Sequence, residues 1–128
     1  MRKIEIKGSE KSPKIVVDPK NGIIKILGRS SMTCPQKFYP TINKILQNYC
    51  DSPVEKTQLF LDLECYNTLS SRYILNILKL ISRINVMEGK ESKIFWYYEE
   101  EDCGIKEDIK VFSELINYNI HAIEYEMA

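Results

Sequence analysis

Polar and apolar residues alternate from Lys3 to Lys7, which places Ile4 and Ile6 on one face of a short strand. Lys14 to Asp18 carries Ile-Val-Val between polar ends and reads as a second strand. Pro19-Lys20-Asn21-Gly22 follows, and Asn-Gly is a strong hairpin signal because both residue types tolerate positive φ. Ile23 to Leu27 is the returning strand, which Gly28 is expected to end. The period then changes. Phe38, Tyr39, Ile42, Ile45, Leu46 and Tyr49 recur at helical spacing, with Pro35 suited to the first turn and Asp51-Ser52-Pro53 as the break. Leu59 to Leu63 alternates again. Ile74, Ile77, Leu78, Ile81 and Ile84 form a second helical stripe that ends before the turn Glu88-Gly89-Lys90. Ile94 to Tyr98 is an unbroken apolar and aromatic run, expected to be a central strand covered on both faces. Ile105, Ile109, Phe112 and Ile116 mark a third helix, and Ile120 to Tyr125 the last strand.

The predicted order is β-β-β-α-β-α-β-α-β. Strands alternating with helices imply right-handed parallel crossovers, and the opening hairpin adds antiparallel strands. The fold class is therefore α/β with a mixed sheet, in one domain over residues 1–128. If the strands ending near Leu27, Leu63 and Tyr98 run parallel, the segments after them share one sheet edge, where open α/β sheets place their sites. Those segments are Gly28-Arg29-Ser30-Ser31, Tyr66 to Ser71, and Glu99 to Asp102.

Composition narrows the function. Hydrophobic content of 44% and charged content of 28% belong to a globular chain. The 18 basic and 18 acidic residues cancel, which argues against a general grip on nucleic acid or anionic membrane. Charges at Arg2, Lys3 and Glu5 interrupt the stretch that a signal peptide would need to be apolar, and no apolar run reaches the ~20 residues of a membrane helix. A cytoplasmic location without membrane insertion is expected. Cys34, Cys50, Cys65 and Cys103 are scattered, with no CxxC pair, and are expected to be reduced and packed inside or half inside.

Signals for catalysis are sparse. The lone histidine, His121, lies inside the last strand, with no Ser or Cys partner at a recognisable spacing. Neither nucleotide-binding glycine motif is present. The acidic run Glu99 to Asp102 offers carboxylates to a cation, but without the alternating spacing of a calcium loop. A solvated turn whose last carboxylate caps the third helix is the plainer reading. An enzyme or metal protein built on His121 and this run stands as the rival hypothesis; no cofactor is expected. Asn67, Thr68, Ser70 and Ser71 crowd the start of the second helix. One such residue suffices as a cap. A helix start also suits a phosphate, since free amides and the dipole favour negative charge.

Several blocks, in order, resemble the SiaC family of bacterial regulatory phosphoproteins, whose fold is STAS-like, similar to anti-sigma factor antagonists. They are Ile4-Glu5-Ile6 with Ser12-Pro13-Lys14-Ile15, Gly28-Arg29-Ser30, Cys65-Tyr66-Asn67-Thr68-Leu69-Ser70-Ser71-Arg72, and Trp96-Tyr97-Tyr98-Glu99. The resemblance covers nearly the whole chain. It implies a non-enzymatic partner switch. The threonine matching Thr68 is phosphorylated by a dedicated kinase and released by a PP2C-type phosphatase. The unphosphorylated protein binds and activates a diguanylate cyclase, raising cyclic-di-GMP and favouring biofilm. The motif positions Asn67, Thr68, Ser70 and Ser71 carry over. Leu69 stands where serine is usual and Arg72 where lysine is usual. Leu69, expected at a loop tip, is assigned as an apolar anchor for the partner. Ile109-Lys110-Val111 replaces an acidic, Gly-containing stretch expected before the third helix, which bears on partner identity. Arg29 and Arg72, with Ser30 nearby, are expected at the docking edge, the arginines offsetting a phosphate. A constitutive interaction module that is never phosphorylated is the alternative.

Overall fold

The computed structural model describes residues 2–126. The strands are β1 (Ile4–Ile6), β2 (Lys14–Asp18), β3 (Ile23–Ser30), β4 (Lys56–Tyr66), β5 (Glu91–Glu99) and β6 (His121–Tyr125). The helices are α1 (Tyr39–Asp51), α2 (Thr68–Ser82) and α3 (Cys103–Ile116). The strands form a six-stranded sheet in chain order. β1, β2 and β3 pair antiparallel, and β3 to β6 pair parallel, so the mixed sheet read from the sequence is the one observed.

The β2–β3 turn depends on Gly22. Its φ is +67°, and a Cβ there would lie 2.3 Å from the Lys56 carbonyl oxygen. Asn21 keeps negative φ and instead donates its side-chain amide to Asp18 Oδ2. Gly22 also accepts from Gln58 N–H at 2.7 Å, which sets the start of the β3–β4 pairing.

Chain order across consecutive parallel strands has a geometric consequence. Each right-handed crossover returns on the same side, so α1, α2 and α3 cover one face of the sheet. Ile24, Ile26, Leu59, Leu61, Leu63, Ile94 and Trp96 on that face are buried, and they meet Ile42, Leu46, Ile74, Ile77, Leu78, Ile81, Ile109 and Phe112 from the helices. Burying each such side chain stabilises the fold by roughly 1.5–3 kcal/mol. Among the described residues, no helix covers the opposite face. The run Ile94 to Tyr98 is therefore not covered on both sides. Ile94, Trp96 and Tyr98 are buried, whereas Phe95 and Tyr97 are half-buried and shelter against Phe60 instead.

Element ends differ from the periodicity reading where the backbone departs from regularity. Pro35 opens a separate 3-10 turn (Pro35–Lys37), and it is Pro40 that occupies the first turn of α1, where a missing N–H costs nothing. Ile84 belongs to a 3-10 turn after α2 (Arg83–Val86), although it is still buried. Ile109-Lys110-Val111 lies inside α3 rather than before it, and Ile109 is core. The cysteines are all free, but Cys34, Cys65 and Cys103 are exposed and Cys50 alone is half-buried. Burial, with a smaller contribution from Asp51, pushes the Cys50 thiol up to about 11.

Candidate docking and modification site

Gly28 does not end β3. The strand continues to Ser30 through a register shift between Gly28 and Arg29, where Gly28 pairs with Leu63 and Arg29 with Cys65. Glu64 is the extra residue of this bulge. A bulge re-aims the side chains beyond it. Strict alternation from Leu61 and Leu63 would turn Cys65 toward the helices; instead Cys65 faces solvent and Tyr66 faces inward against Trp96 and Phe112. Gly28 meets the bulge with φ +109°, a conformation that side chains rarely adopt.

The bulge aligns Ser30 with Tyr66 and so brings the Gly-x-Ser segment onto the start of α2. The Ser30 carbonyl accepts from Asn67 N–H at 3.0 Å, and Met32 accepts from the Asn67 side-chain amide at 2.9 Å. Asn67 Oδ1 in turn accepts from Ser70 N–H at 2.8 Å, the geometry of an N-cap. The Ser30 side chain is fully buried and hydrogen-bonds the Tyr39 hydroxyl of α1. Tyr39 stacks on Tyr73 of α2 at 5.1 Å. A cap, a strand end and two helices therefore hold the backbone on which Thr68 sits.

The crowded hydroxyls have different fates. Ser70 is fully buried, and its Oγ has no partner among the described residues. Ser71 Oγ donates to the Thr68 carbonyl at 2.6 Å. Thr68 is the first residue of α2 and is exposed. Leu69 is not at a loop tip but in the first turn of α2, with 55% of its surface exposed. Arg72 is exposed one turn beyond Thr68, and at i,i+4 the two share a helix face. Arg29 is differently placed: its Nε donates to Glu64 Oε2 at 2.9 Å.

The third expected neighbour is also at this edge. Glu99 and Asp102 line a cavity of about 210 Å³ together with Leu63, Glu64, Ile105 and Tyr125. Asp102 Oδ1 accepts from Ile105 N–H at 3.0 Å and caps α3, so the last carboxylate of the acidic run has the plainer of its two roles. Tyr66 reaches α3 through a hydrogen bond to Asp108. Burial first, then that hydrogen bond and the Asp108 charge, hold the Tyr66 phenol well above its ordinary pKa.

The rival site is not assembled. His121 opens β6 beside Phe95, whereas Glu99 pairs with Tyr125 at the other end of that strand. Among the described residues no three His, Cys, Asp or Glu side chains converge as metal ligands, and no helix is long and apolar enough to cross a membrane.

Comparison with known proteins bears on this arrangement. A family model described as SiaC family regulatory phosphoprotein matches residues 6–125. No curated protein sequence matches the chain. Among solved structures, the fold is similar to a chain in the crystal structure of the diguanylate cyclase SiaD in complex with its activator SiaC from Pseudomonas aeruginosa. The TM-score is 0.85 at 19% identity, over 95% of this chain and 99% of that one. Apo-SiaC from the same organism gives 0.81 at 19% identity, over 97% and 98%.

Proposed function

Since the chain belongs to the SiaC family of regulatory phosphoproteins, we propose that it is a partner switch that works by binding rather than catalysis, controlled by reversible phosphorylation of Thr68. The observation that carries this reading is the contrast among neighbouring hydroxyls. Ser70 is buried and Ser71 is engaged, while Thr68 is exposed at the first position of α2 on a backbone held by Asn67 and Ser30. Thr68 is the most exposed acceptor there, Ser71 being half-buried with its hydroxyl proton donated to the Thr68 carbonyl, and the surrounding fold need not open to present it.

The phosphate would add about −1.5 to −2 charges at a helix N-terminus, where the free amides and the dipole favour it. Arg72 is the cation placed to pair with it. Arg29 is occupied by Glu64 and so contributes less than the sequence suggests. Leu69 is the apolar contact for the target when Thr68 is unmodified. With phosphate present, docking would desolvate a charge that the target does not pair, at a cost of several kcal/mol, enough to abolish a micromolar complex. The dedicated protein kinase and PP2C-type phosphatase that the family resemblance implies would set the phosphorylation level. The target is a diguanylate cyclase, activated by the unphosphorylated form; the similarity to a fold solved with SiaD supports this choice.

Intact mass of the protein taken from its native cell, with and without phosphatase treatment, tests the switch. One phosphate that is lost on treatment and absent from Thr68→Ala is expected. Cyclase activity with Thr68→Ala and Thr68→Asp tests the output: the first should activate and the second should not. A chain that carries no phosphate under any growth condition, or a Thr68→Asp variant that activates fully, would sink the reading and leave a constitutive interaction module.

A further inference from the structure

The outer surface of α1 and α2 carries charge of one sign. Lys44 on α1, Arg72 on α2 and Lys37 in the turn before α1 are exposed, and Lys79 on α2 is half-buried. None of these cations makes an ion pair among the described residues. α2 contains no Asp or Glu. Asp51 is the one acid of α1, and it shares a cavity with Arg83 at the opposite end of α2 from Thr68. The neighbouring helix α3 is mixed instead: Lys106 and Lys110 alternate with Glu107, Asp108 and Glu114, Lys110 is paired with Glu107, and Asp108 is bonded to Tyr66. The chain has as many acidic as basic residues, so it could neutralise the α1–α2 surface and does not. Such a one-sign field attracts a partner of opposite sign.

Among these cations lies a notch of about 180 Å³ between the two helices, lined by Tyr39, Pro40, Asn43, Tyr73, Asn76 and Ile77. No lining residue is charged, and the notch has room for one large apolar side chain. Lys44 follows Asn43, Arg72 precedes Tyr73, and Lys79 comes one turn after Asn76, so the cations rim it. Leu69, Tyr73 and Asn76 recur at i, i+4 and i+7, which puts exposed Leu69 in line with the notch on one face of α2. A basic surface alone does not choose protein over nucleic acid, but the notch does. Bases stack on open aromatic faces. Here the rings of Tyr39 and Tyr73 are stacked on each other at 5.1 Å, and Tyr39 is buried.

We propose that the notch receives one large apolar side chain of the target, carried on a protein segment with acidic residues on either side of it. This rests on the Thr68 switch and names the chemistry of the partner that the switch controls. The buried anchor supplies affinity, as a central apolar pocket does in most interfaces. The cations around it supply encounter rate and register. Phosphorylation then acts on the charge match as well as on desolvation. It adds about −1.5 to −2 charges to the basic surface and engages Arg72, which the acidic segment would otherwise meet. Leu69 extends the apolar contact from the notch to the start of α2, so a target seated in the notch lies across Thr68.

Calorimetric titration of the full chain into its purified diguanylate cyclase, at about 50 mM and about 300 mM NaCl, tests this. The dissociation constant is expected to rise with salt. Lys44→Glu with Lys79→Glu should raise it by about tenfold or more and flatten the salt dependence. Asn76→Trp, which fills the notch from an exposed position, should raise it by about tenfold or more at both salt concentrations. Unchanged circular dichroism certifies that each variant is folded, and if Asn76→Trp fails to fold, the charge-reversal variant decides. Binding that ignores salt and the lysine reversals, binding that the reversals strengthen, or binding indifferent to a folded Asn76→Trp would overturn the proposal. So would saturable binding of a single-stranded oligonucleotide, or of phosphatidylglycerol vesicles, that the lysine reversals abolish. Thr68→Asp separates the two ideas. If it binds like the unmodified chain while the notch and lysine variants do not, the switch fails and the notch stands. If it loses binding while those variants keep it, the notch fails alone. No binding by any form would overturn both.

Discussion

The phenol of Tyr66, two residues before Thr68, donates a 2.5 Å hydrogen bond to Asp108 Oδ2, which ties the end of β4 to α3. The turn into α2 is thus braced from the α3 side as well as by Ser30. Tyr66→Phe keeps the ring against Trp96 and Phe112 but frees the Asp108 carboxylate, which is exposed and can hydrate. A loss of about 0.5–1.5 kcal/mol is expected, read from denaturant unfolding.

The same residue sets an alkaline limit. Burial holds the Tyr66 and Tyr39 phenols above their ordinary value of 10.0. Above that pH the unfolded chain loses these protons first, so the native state binds more protons and stability falls as pH rises. Phenolate absorbance should lag behind free tyrosine until the protein unfolds. Tyr66→Phe should flatten part of the decline. A stability curve that is level through the alkaline range would contradict this.

Ser30 and Tyr39 form a buried pair, so removing one partner is worse than removing both. Ser30→Ala leaves the Tyr39 hydroxyl unpaired, at about 1–3 kcal/mol. The double change Ser30→Ala with Tyr39→Phe should recover part of that loss. A double-mutant cycle gives the coupling directly, and strict additivity would disprove it.

Asn67 both caps α2 and anchors its start to Met32. Asn67→Ala should lower stability by roughly 1–2 kcal/mol, whereas Asn67→Asp keeps the cap and should lose less. Hydrogen exchange should localise the loosening to Thr68 through Ser71.

Gly22→Ala should cost more than 1 kcal/mol, since positive φ alone costs roughly 1–2 kcal/mol and the added carbon meets the Lys56 backbone. Gly89→Ala is the control. It has positive φ but open space around it, so it should cost only the conformational part, and thermal unfolding should separate the two.

Much of the chain was legible as sequence because its elements obey local rules. Period-2 and period-3.6 stripes, the Asn21-Gly22 turn and the hydroxyl-rich start at Asn67 each depend on neighbours a few residues away. They determined the element order, the mixed sheet and the proximity of the Ser30, Thr68 and Glu99 segments. The tertiary structure decided what depends on distant strands. The bulge at Gly28 is a mismatch between β3 and β4, and no window of either strand reveals that it turns Cys65 out and Tyr66 in. Which of Thr68, Ser70 and Ser71 is accessible depends on the wall that α1 and β3 build beside them. That Arg29 is paired with Glu64, 35 residues away, follows from the same bulge. And the run from Ile94 to Tyr98 reads the same whether helices cover one face or two; only the order of the strands, with every crossover returning to the same side, leaves Phe95 and Tyr97 on an open face.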